Sequence, residues 1–507
     1  MDQPEVKEEV GGGIFFQYVN SFASVLVGFI FYIYIIHYYS SELVGTVALL
    51  IAITSLLNIV FSFGLGPGIQ HFVSYHLGKG ELDSVRGIVG RFSAIGLGLS
   101  FLSLMFLYFS APVFASLFFH SPIYVFLIRF LGIDLFFMVA NTFLSSILIG
   151  LQIFRSQALW SVVGVAIAYL LPVFLLHYFD MTIFIVVGWA TGYGLSTVAY
   201  SIIIVKRTLR LSTVGAKVSV RRALRYSYPI FLASLIGYGS SYVDRFIVSY
   251  LLNLPLLGIY NFALLISSGI SFLILPFSTI LLPKLSEMYG AEMIEDVKVY
   301  ISKGAELISV VYVPVSMLVA GLSPDILLFL SNKEYLPASI PVTIILISSS
   351  VFVIQNILAV SLQSIRKTGI FLVTSSLALL SNLIISVLLI PRFQMIGAAI
   401  GYSSVSCVSF LVMYFYSKKF DILRFESVKI AKIYLSAFTM FLITALLVKA
   451  FPYSPLKLLL FILVGFSVYS LMIKMLRTFS RQDADFVMLL IPHWLQRIKS
   501  VISLFFL

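Results

Sequence analysis

The feature that most constrains this chain is a recurring apolar run of roughly 20 residues, the length a helix needs to cross a hydrocarbon core. About fourteen such runs can be marked, at 11–38, 42–66, 88–111, 122–149, 157–178, 181–205, 227–251, 255–283, 303–322, 337–364, 367–391, 393–417, 430–451 and 455–475. Only 11% of the 507 residues are charged, against about 25% in an average soluble domain. The mean hydropathy of +1.06 agrees. The spacing predicts an all-α polytopic membrane protein. The single cysteine, Cys407, lies inside an apolar run and excludes an internal disulfide framework.

The net charge of +12 by itself would suit a nucleic-acid partner. Its distribution argues against one. With the N-terminus inside, 27 of the 33 Lys and Arg residues fall in cytoplasmic segments. Lys333, Arg392, Lys449 and Lys457 fall on the opposite side, and Arg129 and Arg245 stay within spans. This positive-inside bias predicts that both termini are cytoplasmic, in a plasma membrane, with basic segments near anionic lipid. The first ten residues, MDQPEVKEEV, lack the basic start and cleavage site of a signal peptide, so the first span is expected to be retained.

The chain also repeats. Val44-Gly45 matches Leu257-Gly258 and Gly78 matches Gly290. Leu151-Gln152-x-x-Arg155 matches Leu362-Gln363-x-x-Arg366, and Gly188-x-x-x-Gly192-Tyr193 matches Gly397-x-x-x-Gly401-Tyr402. The offsets are 213, 212, 211 and 209. Four matches in order predict two parallel six-helix repeats, with a pseudo-two-fold axis along the membrane normal and a substrate site between the halves.

The organisation that follows is a cytoplasmic tail at 1–10 and a first lobe at 11–205. A basic linker at 206–226 holds seven Lys/Arg and no acid. A second lobe covers 227–417, and two extra spans cover 430–476. The tail at 477–507 sets Ile491, Trp494, Leu495 and Ile498 on one stripe, which predicts an interfacial amphipathic helix. Residues 69–90 are expected as a polar loop after the helix-breaking Phe63-Gly-Leu-Gly-Pro-Gly68.

Charges within spans are costly and face a bundle interior or wet cavity. Asp244 and Arg245 are adjacent in the run Tyr242–Ala263, which turns at Asn253–Pro255. Arg129 and Asp134 lie five residues apart, about 140° around a helix, and so do not share a face. Arg245 would bind a phosphate through its planar fork, or neutralise a buried acid to dock helices. Arg129 has the same two readings. Asp134 and Asp244 are expected as partners for arginines, with proton coupling as the other reading. Asn20 and Asn261, with Gln17 and Asn382, would bridge helices or line a sugar-binding cavity.

No phosphate-binding loop, dinucleotide fingerprint or Cys/His metal spacing occurs, so neither an enzyme, a cofactor nor a metal site is expected. Two classes remain, a transporter and a polytopic membrane scaffold without transport of its own. The internal repeat favours transport.

Asp244-Arg245-Phe246 near the outer end of a helix, a short turn, then Gly258-Ile-Tyr-Asn-Phe-Ala263 resembles the polysaccharide-transporter (O-antigen-type) flippases. These belong to the multidrug/oligosaccharidyl-lipid/polysaccharide exporter superfamily. Leu65-Gly66, Gly78-Lys79-Gly80, Gly150-Leu-Gln-Ile-Phe154, Tyr228-Pro229, Leu282-Pro283-Lys-Leu-Ser286 and Glu334-Tyr335 are similar to that family as well. The resemblance implies a flippase that moves a polyprenyl-linked oligosaccharide to the outer leaflet by alternating access. Spans 1, 2, 7 and 8 would line its cavity, and Arg245 and Arg129 would hold the phosphate. Glycosyltransferases or a polymerase of the same pathway would be partners. Multidrug exporters of the superfamily often carry an acid in the first span, and this sequence has none there, although export of a small molecule stays as the alternative.

Overall fold

The computed structural model describes residues 3–179, 181–208, 220–365, 367, 369–422 and 427–479. They form helices joined by short turns. The predicted linker and C-terminal amphipathic helix lie largely outside them, at 209–219 and 480–507. The chain divides into two compact units, Met1–Gly258 and Ile259–Leu507.

The first unit begins with α1 (Gln3–Tyr38), so the predicted tail is already helical from Gln3. Ser40 caps α2 (Ser41–Ser62), its side chain accepting from the amide of Leu43. Two successive left-handed residues, Phe63 (φ 48°) and Gly64 (φ 58°), end α2. The chain then resumes as α3 (Leu65–Gly78). The expected loop at 69–90 is therefore mostly helix. Pro67 falls in the first turn of α3, where its missing N–H has no partner to lose. A tight turn at Gly80 (φ 74°) leads into α4 (Leu82–Phe114). Pro112 weakens the end of α4, and a π-helical turn follows at Ala115–Phe119.

Next come α5 (Tyr124–Gly150), α6 (Phe154–Phe179), α7 (Ile183–Thr208) and α8 (Val220–Leu251). Small residues let α6 and α7 touch. A Cβ on Gly192 would meet Gly164 and Ala168, and one on Gly188 would meet Pro172. α8, predicted as the opening span of the second repeat, packs within the first unit on α2, α3 and the π-turn. The first turn of α9 (Leu254–Ser271) completes the unit.

In the second unit α9 passes through a 3-10 turn, Phe272–Ile274, into α10 (Leu275–Gly290). This interruption recurs where α2 breaks before α3. Then follow α11 (Ile294–Gly321), α12 (Ser323–Leu330), a 3-10 turn at Lys333–Ala338 and α13 (Ser339–Ser364). α14 (Gly369–Lys419) is two helices folded back on each other at Gln394, whose φ of 49° is not helical. Gly397 meets Leu389, and Gly401 meets Ser386 and Asn382. The matched Gly-x-x-x-Gly pairs thus do the same packing work in each unit. α15 (Ser427–Ala450) and α16 (Pro455–Met475), which have no counterpart in the first half, bury Ile433, Met440 and Phe461 against Val313, Met317 and Leu318 of α11.

Among the described residues twelve helices are long and apolar enough to cross a membrane. The two arms of α14 count once in that number and correspond to two predicted spans. α8 is not among the twelve; the charged Asp244 and Arg245, with Ser, Gly and Tyr, lower its apolarity.

Candidate functional site

α8 carries the residues from which the site is built. It is fastened to the first unit along its length. At the start, the Gly64 backbone lies against Phe231, and the rings of Phe63 and Phe231 are 5.7 Å apart. Midway, Tyr238 donates to the carbonyl of Ala52 on α2. Near the end, Ser249 donates to the carbonyl of Phe118, and His120 reaches the carbonyl of Ser249 at 3.0 Å.

Tyr238, Tyr242 and Arg245 fall at i, i+4 and i+7, on one face of this helix. The two rings stack in parallel, 4.4 Å apart with 6° between their planes. The Arg245 guanidinium lies 4.1 Å from the centre of the Tyr242 ring, and Nη1 donates to the Ser241 carbonyl at 2.7 Å. A ring face and a backbone carbonyl both attract a cation. Half-buried Arg245 is thus seated on Tyr242 and the Ser241 carbonyl, next in sequence to the fully buried Asp244.

Arg129 is placed differently. It is exposed on α5, with its guanidinium 4.9 Å from the centre of the Tyr108 ring on α4. It has no ion pair among the described residues. Asp134 is 2% exposed, and its Oδ1 has no hydrogen-bond partner. Tyr169 on α6 and Tyr193 on α7 are within electrostatic reach of it. The expectation of an arginine partner for Asp134 is thus corrected. The 140° between Arg129 and Asp134 sends one outward and the other into the bundle.

Asn20 on α1 is half-buried, with its Oδ1 unpartnered. One turn earlier, Gln17 donates to Gln157 at 2.6 Å, and Gln157 donates to Ser145 at 3.0 Å. This polar knot ties α1, α5 and α6. Asn261 is buried on α9 in the second unit, three residues past the boundary. Sequence reasoning missed Tyr108, Tyr238 and Tyr242. The signal for the last two was present as aromatics three and seven residues before Arg245. Among the described residues no group of three or more His, Cys, Asp or Glu could hold a metal ion.

Two family models match this chain. One, described as polysaccharide biosynthesis protein, covers residues 10–289, and the other, MatE, covers 229–388. Over 367 residues the chain is 22% identical to the uncharacterized membrane protein MJ1068 of Methanocaldococcus jannaschii, covering 68% of this chain and 71% of the relative. Its fold is similar to a lipid II flippase MurJ in an inward closed conformation, with a TM-score of 0.73 and 19% identity, over 90% of this chain and 98% of the other. It is also similar to an inward-facing multidrug resistance MATE family transporter, with a TM-score of 0.64 and 17% identity, over 78% and 95% of the two chains. The chain is thus a polytopic membrane protein whose fold is similar to those of these transporters, and it belongs to the polysaccharide biosynthesis protein family.

Proposed function

We propose that this protein flips a polyprenyl-linked oligosaccharide from the inner to the outer leaflet by alternating access, with Arg245 binding the phosphate of the lipid carrier. The observation that carries the reading is the seat of Arg245. It is an intramembrane cation on the least apolar long helix of the first unit, oriented by Tyr242 and Ser241. A planar, permanently charged fork of this kind matches a phosphate in two hydrogen bonds. The family match supports a polysaccharide precursor as cargo, and the likeness to a lipid II flippase fold is consistent with a lipid-borne one. Neither protein nor cofactor chemistry is needed, because flipping makes and breaks no covalent bond. The plasma membrane, with both termini cytoplasmic, is the setting that the charge bias supports.

The MatE match over 229–388 favours a second reading, export of a soluble small molecule. Purified protein in vesicles separates the two. With a fluorescent polyprenyl diphosphate-linked sugar in both leaflets, the flippase reading predicts that label in the far leaflet becomes reducible by membrane-impermeant dithionite within the assay. Efflux of a cationic dye without any movement of the lipid-linked sugar would establish the exporter instead.

A further inference from the structure

Arg129 lies outside the arrangement around Arg245, and its surroundings point to a different ligand. On α5 its neighbours one turn away on the same face are Phe126 and Ile133, which are 68% and 36% exposed. On α4, Tyr108 is 42% exposed, with Phe109 beside it at 75%. Large apolar side chains uncovered in a membrane-spanning unit mark the surface that meets lipid. Arg129 is therefore a cation on a hydrocarbon-facing stripe, with no anion partner among the described residues.

Its depth is fixed by α5. Tyr124 opens the helix and donates to the exposed carboxylate of Glu42 at 2.9 Å, which marks a polar rim. Arg129 is five residues further on, about 7.5 Å below that rim at 1.5 Å per residue. Side chains on a helix lean toward its N-terminus. Arg129 thus leans back toward the rim, and its aliphatic stem can lie along apolar surface while the guanidinium reaches the headgroup level. α4 runs antiparallel to α5, with Leu104 beside Gly132, and this brings Tyr108 alongside Arg129. The ring seats the cation without consuming its charge.

We propose that Arg129, seated on Tyr108, binds the phosphate of a phospholipid in the leaflet at the N-terminal end of α5, the outer leaflet in the orientation given above. The ligand is a lipid because the guanidinium is flanked by hydrocarbon-facing Phe126, Ile133 and Phe109, which acyl chains would cover. A soluble anion would leave them bare. Phosphate is the group because it lies at that depth and accepts two hydrogen bonds from one guanidinium. The site is independent of the cargo that Arg245 is proposed to hold.

The test is native mass spectrometry of the purified protein titrated with phosphatidylglycerol, with diacylglycerol as the phosphate-free control. Wild type should retain one tightly bound phosphatidylglycerol more than Arg129→Ala, whose affinity for it should be at least about tenfold weaker. Arg129→Lys should bind at an intermediate level. Tyr108→Ala should weaken binding, and Tyr108→Phe should restore it by keeping the ring. Diacylglycerol should show no difference between wild type and Arg129→Ala, and excess inorganic phosphate should not displace the lipid. Equal phosphatidylglycerol retention by wild type and Arg129→Ala would overturn the proposal, as would displacement by inorganic phosphate. Loss of flipping in Arg129→Ala with lipid retention intact would place Arg129 in the transport path instead. Loss of flipping in Arg245→Ala alone bears only on the proposed cargo site.

Discussion

Gly45 of α2 and Gly258 of α9 pack directly on one another. A Cβ on Gly45 would run into the Leu254 carbonyl and lie 2.9 Å from the Gly258 nitrogen. A Cβ on Gly258 would run into the Ser41 carbonyl and lie 2.8 Å from the Gly45 nitrogen. The contact is reciprocal, and an offset of 213 relates both Ser41 to Leu254 and Gly45 to Gly258. Positions matched in the sequence repeat therefore meet in a reciprocal contact.

This crossing should tolerate no added methyl. Gly45→Ala and Gly258→Ala are each expected to destabilise the purified protein by about 1–3 kcal/mol, the usual cost of overpacking a tight contact. The double variant should cost less than the sum, because either methyl already forces the two backbones apart. Thermal unfolding of the three variants checks this, and strict additivity would contradict the reciprocal geometry.

The seat of Arg245 should be separable from its charge. Tyr242→Phe keeps the ring face and should transport at close to the wild-type rate. Tyr242→Ala removes an attraction of about 0.5–2 kcal/mol, which corresponds to a roughly 2- to 30-fold weaker apparent affinity for lipid-linked sugar. The maximal rate should change less than the concentration dependence. If Tyr242→Phe is as impaired as Tyr242→Ala, the phenol hydroxyl matters and the ring face does not.

In the second unit, Glu306 of α11 is 3% exposed, 3.2 Å from Lys303 and 3.9 Å from Lys429 at the start of α15. Removing the carboxylate leaves two lysines facing each other without it. Glu306→Ala should therefore loosen the N-terminal end of α15. Hydrogen exchange over the first turns of α15 should rise while α16 stays protected. Unchanged exchange there would show that the apolar core with α11 alone fixes the pair.

The topology can be tested without any structure. Ser212 lies in the basic stretch between α7 and α8, and in the orientation predicted from the sequence 27 of the 33 Lys and Arg residues share its side of the membrane. A cysteine at Ser212, with Cys407→Ser, should resist a membrane-impermeant maleimide in intact cells and react after lysis. Ready labelling of intact cells would invert the orientation.

The spans were legible in the sequence because lipid imposes a length and an apolarity that little else imitates. The repeat was legible because small residues at helix crossings cannot be exchanged for larger ones. α3 was not. Gly64, Gly66, Pro67 and Gly68 read as a loop, and only the backbone shows that Phe63 and Gly64 absorb the whole bend and leave the rest helical. The facing of Arg129 was also hidden. Its neighbours Phe126 and Ile133 suit a bundle core or a lipid surface equally, and periodicity does not say which. The tyrosine seat of Arg245 was present as spacing, yet ring stacking depends on rotamers that a sequence does not fix.

The central claim is that Arg245 binds the phosphate of a lipid-linked sugar and does not merely neutralise a buried acid. The most direct measurement is the flipping rate of a fluorescent polyprenyl diphosphate-linked sugar in vesicles, at matched protein level, for Arg245→Ala, Arg245→Lys and Arg245→Ala with Asp244→Ala. Phosphate binding predicts no flipping in Arg245→Ala, partial flipping in Arg245→Lys, where the charge remains and the planar fork is lost, and none in the double variant. Recovery of wild-type flipping in the double variant would contradict the claim, since it would mean that Arg245 served only to balance Asp244.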